Sequence, residues 1–487
     1  MHMMKELKKY QNITLLIFLI CGIASNLKGQ QSTTLYHMFG VPQRHTMNPA
    51  FQPRCGFYLG FPGLSPLAVN LDNSALKMEE IIWYDDVLDS LITFLHPKAD
   101  INDFLNNFKH TSYFHNEAIT YLGSFGWRKE DWYYSVGIAQ RFSLKIGYPG
   151  DLIDFLFTGN EDGEVFDLSG FGFDATGYLE FSLGMSKKIS SDLSVGARAK
   201  YLLGEANISL AKTDATVDTH LKYWEVNAGF EGRANIPFLE IPIVDNKFDF
   251  ENLEMNDDFT TADIINSVFR NPGIALDLGV EYQPMNNVYL SASLIDLGFI
   301  HWGGNPYKME QSGSFLFEGV DVFPEDDSIS IGEAYLDTLN QKLSYTPSRD
   351  PYTTMLNSKL LLGGKYMPTE KIGLGILSRS EIIRGRIRQK LTLSANFYPI
   401  KAFSATFSYS MMNYTYNNFG FGSSVKLGPL NLYMISDLIP MPWQMATEES
   451  TGLTIIPLKA TAFNFRLGLN LIFGCKAAKP KDIPLVE

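Results

Sequence analysis

Few residues able to do chemistry in this chain stand where they could do it together. His110 and His115 are five positions apart, which misses the i, i+4 face on which two helical histidines share a metal. No Gly-x-Ser-x-Gly, His-Glu-x-x-His or phosphate-loop pattern occurs, so no nucleophile, zinc-bound water or nucleotide phosphate has a ready holder. The glycine-rich "SGFGFDATG" at 169–177 lacks the spacing of a dinucleotide turn and reads as small residues where a strand begins and bends. The expectation is a protein that is not an enzyme and takes no cofactor or metal. What remains are charges set at every second position among apolar residues. Glu180, Arg198, Lys200, Asp277, Glu281, Lys390, Lys426 and Arg466 all stand so. Fixed charges of both signs lining a wet lumen would control the passage of a solute. The plainer reading is that they pair with one another and fill an interior.

The elements that place those charges are strands. In "TAFNFRLGLNLIFG", Phe463, Phe465, Leu467, Leu469, Leu471 and Phe473 alternate with Asn464, Arg466, Gly468, Asn470 and Ile472. The same period of two runs through "YLEFSLGMS", "LSVGARAKY", "IALDLGVEYQ", "KLTLSANF" and "FSATFSYSM". Tight turn signals such as "PMNN" at 284–287, "PTEK" at 368–371 and "YPIK" at 398–401 separate several of these runs. Strands of about ten residues joined by tight turns are the signature of a transmembrane barrel, apolar outward and polar inward. The expected fold is all-β, an antiparallel transmembrane barrel of about 14 strands.

Composition and the N-terminus support export to a membrane. The chain has 487 residues, 45% of them hydrophobic and 13% aromatic, which suits aromatic girdles at two membrane interfaces. The net charge of −13 argues against a nucleic-acid surface. Residues 1–29 read as a signal peptide: Lys5, Lys8 and Lys9, then a short apolar stretch from Ile13 to Ile23, then small residues with cleavage after Ser25 or Gly29. The bulky Ile20 before Cys21 argues against lipidation. No stretch has the apolar length of a membrane-spanning helix.

The remaining divisions are an N-terminal periplasmic or plug segment at 30–54, the barrel at 55–475 and a periplasmic tail at 476–487. Phe39, Phe51 and Trp83 are candidate plug or ligand contacts. "LKMEEIIWYDDVLDSLITFL" and "INDFLNNF" within 73–115, "GDLIDFLFTGN" at 150–160 and "FTTADIINSVF" at 259–269 read as short helices in loops, at a mouth or in the lumen. The acidic stretch 319–352 reads as an external loop, because external loops run long. Trp443 in "LIPMPWQM" fits the interfacial aromatic belt or a partner surface. With the signal removed, only Cys55 and Cys475 remain. An even-stranded closed barrel makes the first and last strands neighbours at the periplasmic rim, where disulfides form. Cys55 and Cys475 are therefore either bonded across the seam or two small residues lying close there.

Asn48-Pro49-Ala50 in "TMNPAFQPR" resembles the start of Bacteroidota outer-membrane barrels, among them the type 9 secretion accessory barrels PorV and PorP. "GFPGLSPLAVNLDNSAL" at 60–76, "PGDLIDFLFTGN" at 149–160, "VFDLSGFGFDATGYLEFSLGMSKKI" at 165–189 and "LSVGARAKYLLGEANI" at 193–208 resemble a domain-of-unknown-function family of exported barrels. The resemblance implies a barrel of the cell outer membrane distantly similar to the long-chain fatty-acid transporters, and brings no substrate or site residues. The function expected by that analogy is passage or capture of a small apolar solute. The alternative is a non-transporting accessory subunit of a secretion, assembly or surface-attachment complex. Partners expected are outer-membrane lipid, the barrel-assembly machinery and other envelope proteins.

Overall fold

The computed structural model describes residues 33–475, except 65, 74–75, 77, 86, 89, 109–111, 245–246, 250–253, 256–260, 319–344, 384–385, 413–414, 440–442, 449–451 and 458–461. The expected signal peptide at 1–29, most of the acidic stretch 319–352, His110 and the expected tail at 476–487 lie outside the described residues.

Fourteen strands form the wall. They are β1 (Cys55–Gly60, resumed as Leu67–Asn73), β2 (Ser112–Lys129), β3 (Trp132–Tyr148), β4 (Gly172–Lys188), β5 (Leu193–Thr219), β6 (Pro272–Met285) and β7 (Val288–Trp302). There follow β8 (Lys359–Thr369), β9 (Ile372–Ile383), β10 (Arg386–Ile400), β11 (Phe403–Met412), β12 (Thr415–Leu427), β13 (Leu430–Ile439) and β14 (Ala462–Cys475). Each pairs antiparallel with the next, and β14 pairs with β1 through Phe57↔Phe473 and Leu67↔Leu467, closing the barrel. Pro62 and Pro66 explain the break in β1, since neither can donate a ladder hydrogen bond.

Alternation then decides which face is which. Leu276 and Leu278 are 39% and 44% exposed on the outside, while Asp277 between them is fully buried in the lumen. In β14, Asn464, Arg466, Gly468 and Asn470 face inward, and Phe473 stands out at 49% exposure. An apolar outer face with a polar inner one is the inverse of a soluble barrel. No helix among the described residues is long and apolar enough to cross a membrane.

The rims differ. Six tight turns, beginning after Lys129, Lys188, Met285, Thr369, Ile400 and Leu427, lie on the rim that also holds Pro53 and Cys475. The opposite rim carries the long connections. There β5 continues beyond the wall and pairs with Trp224–Asn235, which pairs in turn with Pro306–Phe317, and that strand pairs with Tyr345–Ser348, building a second tier. Helices Gly150–Thr158 and Thr261–Phe269 form where expected. The stretch 82–93 does not become a helix. Ile82–Asp85 and Ser90–Thr93 pair as a hairpin after a single turn of helix at Met78–Ile81. Aromatic and β-branched residues favour the strand, and the Asp85 carboxylate turns the chain by accepting the N–H groups of Val87 (2.8 Å) and Leu88 (3.0 Å).

Cys55 and Cys475 face each other across the β1–β14 seam and are joined by a disulfide. The bond spans 420 residues of chain, and a loop of that order is worth about 6 kcal/mol of lost chain entropy on the simple model. Titration of the exported, unreduced and denatured chain is expected to find no free thiol from this pair. Two thiols appearing without reductant would contradict the bond.

Candidate functional site

The lumen is occupied by the chain's own N-terminal segment. Thr33–His37 and Pro42–Thr46 form short 3-10 turns, and nearly every residue from 33 to 51 is buried. The short turns leave backbone groups without helical partners, and the wall supplies them. Asp437 of β13 accepts from the N–H of Thr33, from that of Thr34 (3.1 Å) and from the Thr33 hydroxyl (2.9 Å). Lys365 and Tyr398 both donate to the His37 carbonyl at 3.1 Å. Ser293 donates to the Met47 carbonyl (2.7 Å), and Arg198 to that of Thr46 (2.7 Å).

Asn48-Pro49-Ala50 is the tightest part of this fit. The Asn48 amide donates to the carbonyls of Val280 (3.1 Å) and Ala292 (3.2 Å) on two adjacent strands, and its oxygen accepts the Ala50 N–H at 2.9 Å. The wall has no side chain where these residues press. A Cβ on Gly279 would lie 2.0 Å from Asn48 Oδ1, and one on Gly196 would lie 2.3 Å from the Pro49 carbonyl oxygen. Apolar contacts complete the seat. Leu35, Tyr36, Met38, Val41, Met47 and Phe51 of the plug pack on Ile295, Leu361, Leu377, Tyr433 and Ile435 of the wall.

Beside the plug stands a network of fixed charges. Arg198 meets Asp277 at 2.5 Å, and Lys200 meets Asp277 at 2.9 Å and also Asp296. Arg141 meets Glu180 at 2.7 Å. Two contacts cross the lumen: Lys359 of β8 reaches Glu117 of β2 at 3.3 Å, and Arg141 of β3 reaches Asp296 of β7 at 3.8 Å. Four bases (Arg141, Arg198, Lys200, Lys359) thus face four acids (Glu117, Glu180, Asp277, Asp296), so the charge within this network balances. Asp296 is built for its place. It sits at φ 61° in a bulge of β7, where Asp277 Oδ1 accepts its N–H at 2.7 Å, and it also meets Lys359 at 3.1 Å.

The expected charges divide accordingly. Glu180, Arg198, Lys200 and Asp277 lie in the network. Glu281 pairs instead with Arg44 of the plug at 3.7 Å, and Lys390 lies 3.8 Å from Asp437. Arg466 is buried beside Tyr433, with no ion pair among the described residues. Lys426 is half-buried at the turn end of β12, next to Leu427, and is not part of the network. Phe51 packs edge-on against Tyr36, and Phe39 lies under the cations of Lys365 (3.5 Å) and Arg44 (4.4 Å). Trp83 is not brought to them; it pairs with Ile92 in the separate hairpin of 82–93. Glu117, Arg141, Asp296, Lys359 and Asp437 were not singled out from sequence. Glu117 and Arg141 hold inward places in the period of their strands, whereas the bulge shifts the period at Asp296. Among the described residues no group of three or more His, Cys, Asp or Glu is placed to hold a metal.

The sequence matches a family of unknown function over residues 49–437. The chain belongs to that family, DUF5723. No curated protein matches this DUF5723 chain. Among solved structures it is similar to the Ralstonia pickettii toluene transporter TbuX (10% identity, TM-score 0.40, covering 92% of this chain and 99% of that one). It is also similar to the P. putida toluene transporter TodX (10%, TM-score 0.36, 88% and 92%) and to a Pseudomonas aeruginosa FadL homologue (9%, TM-score 0.35, 88% and 92%).

Two buried imidazoles of the plug predict that its seating depends on pH. Burial, with the nearby Lys365 and Arg44 charges, pushes His37 down to about 3. Burial and the Arg198 charge push His45 down to about 3. A released plug would bind protons from pH 6.5 downward, so the seated state loses stability as pH falls from there towards 3. A nitroxide on Gly40→Cys is expected to be immobile at neutral pH and to gain a mobile fraction at pH 4; a spectrum unchanged over that range would contradict the assignment. Gly279→Val, which overpacks the Asn48 seat at a cost of about 1–3 kcal/mol, should free the same probe at neutral pH. A probe that stays immobile there would contradict the tight fit.

Proposed function

We propose that this protein is a gated barrel of the cell outer membrane, reached by signal-peptide export, and that it passes or captures a small apolar solute when the plug leaves its seat. One observation carries the solute class. The plug covers an apolar patch of the inner wall (Ile295, Leu361, Leu377, Tyr433, Ile435) with apolar side chains of its own, so plug and solute would compete for the same surface. Seated, the plug leaves little room. Two cavities beside it, at Tyr58 and at Tyr133, hold about 10 Å³ each, the space of roughly one water.

A second reading is favoured by the ion pairs that cross the lumen. They suit a barrel that stays shut and serves as an accessory subunit, and kinship with PorV, PorP and the Bacteroidota barrels belongs to that proposal. Wild-type protein and the Gly279→Val variant, each in liposomes and planar bilayers, separate the two. The gated reading expects a silent wild type, with the variant conducting ions and binding an apolar naphthylamine dye. A folded variant that frees its plug yet neither conducts nor binds dye would overturn the gated reading in favour of the accessory one.

A further inference from the structure

The outer face of β6–β10 is notched within its apolar belt. Register places Val280, Ala292, Leu362, Ser378 and Leu391 side by side across five strands, with Tyr282, Leu290, Gly364 and Ile376 forming the next row. Ala292, Gly364 and Ser378 are small where their neighbours are large, and a cavity of about 450 Å³ opens above them. Leu290, Leu362 and Ile376 wall it. The notch stays open because Gly364 has no side chain: a Cβ there would stand 3.2 Å from Ile376 Cγ2 and 4.0 Å from Leu290 Cδ2, already inside the groove.

We propose that this groove holds one acyl chain of a membrane lipid. The site lies among outward-facing leucines, with Leu278, Leu360, Leu374 and Leu393 each 42–49% exposed around it, so hydrocarbon is the medium that reaches it. Four strand spacings give the groove a length of ~19 Å; one leaflet of the hydrocarbon core is ~15 Å deep. The chain's polar end also has a place. Gln389 donates to the Ser378 hydroxyl at 3.0 Å on this outer face, towards the rim of long loops, and that pair suits the ester of a lipid. Behind the groove the wall is only backbone thick. Gly363 backs directly on the plug, where a Cβ would meet the Tyr36 ring at 2.4 Å, and Ser291, which also lines the groove, accepts from the Tyr36 hydroxyl at 3.0 Å. The proposal does not depend on what the lumen passes.

The test is native mass spectrometry with lipid extraction on wild type, Gly364→Leu and Ala292→Leu, purified in mild detergent. Each barrel is shown to be folded by its heat-modifiable migration, and two groove-filling variants allow for one failing to assemble. The expected result is a single diacyl lipid retained through washing by the wild type and lost from the folded variants. A lipid-free wild type, equal retention in all three, or a non-lipid apolar molecule in its place would overturn the proposal.

Discussion

Every other feature of this molecule depends on the pairing of its last strand with its first. Hydrocarbon offers no partner to an N–H or C=O, so a sheet that enters it must leave no edge. β14 against β1 removes that edge, and Cys55–Cys475 joins the seam covalently at the rim. Closure then fixes the rest of the logic. One face of each strand must be apolar because lipid lies outside, and the other face bounds a space that has to be either wet or filled.

This barrel fills it. The wall supplies donors and acceptors to a short segment with too few internal hydrogen bonds, and it omits side chains where Asn48 and Pro49 press. Within the charged network beside the plug, four acids stand against four bases, so none of its members is left bare at low dielectric. The consequence for function is a lumen shut by contacts that are individually modest and noncovalent. Displacing the plug would expose both an apolar patch and the charges that hold Thr46 and neighbouring backbone.

Much of the wall was legible in the sequence because it rests on local periodicity. The alternation in β14, β6 and β10 shows the strands, their faces and most inward charges, and an even strand number brings the two cysteines to one rim. What could not be read depends on contacts distant in sequence. Lys359 and Glu117 meet across the lumen, 242 positions apart, and nothing local marks either as the partner of the other. Asp296 enters the network through a bulge that shifts the period of β7 at that point. Lys426 keeps the inward parity but stands at the turn end, where parity alone does not imply burial. The 82–93 stretch misled because its apolar spacing suits a helix, while its aromatic and β-branched residues and the Asp85 turn favour a hairpin.

The measurement that tests the account most directly is the accessibility of nitroxides along the outer face of the barrel in lipid bilayers. Labels at positions 372, 374 and 376 of β9 are predicted to collide with oxygen and to be shielded from an aqueous nickel chelate. A label at 221, where Leu221 stands 86% exposed beyond the wall, should show the opposite. Nickel access at all four positions would mean that the apolar face meets water, and would contradict a membrane-spanning barrel.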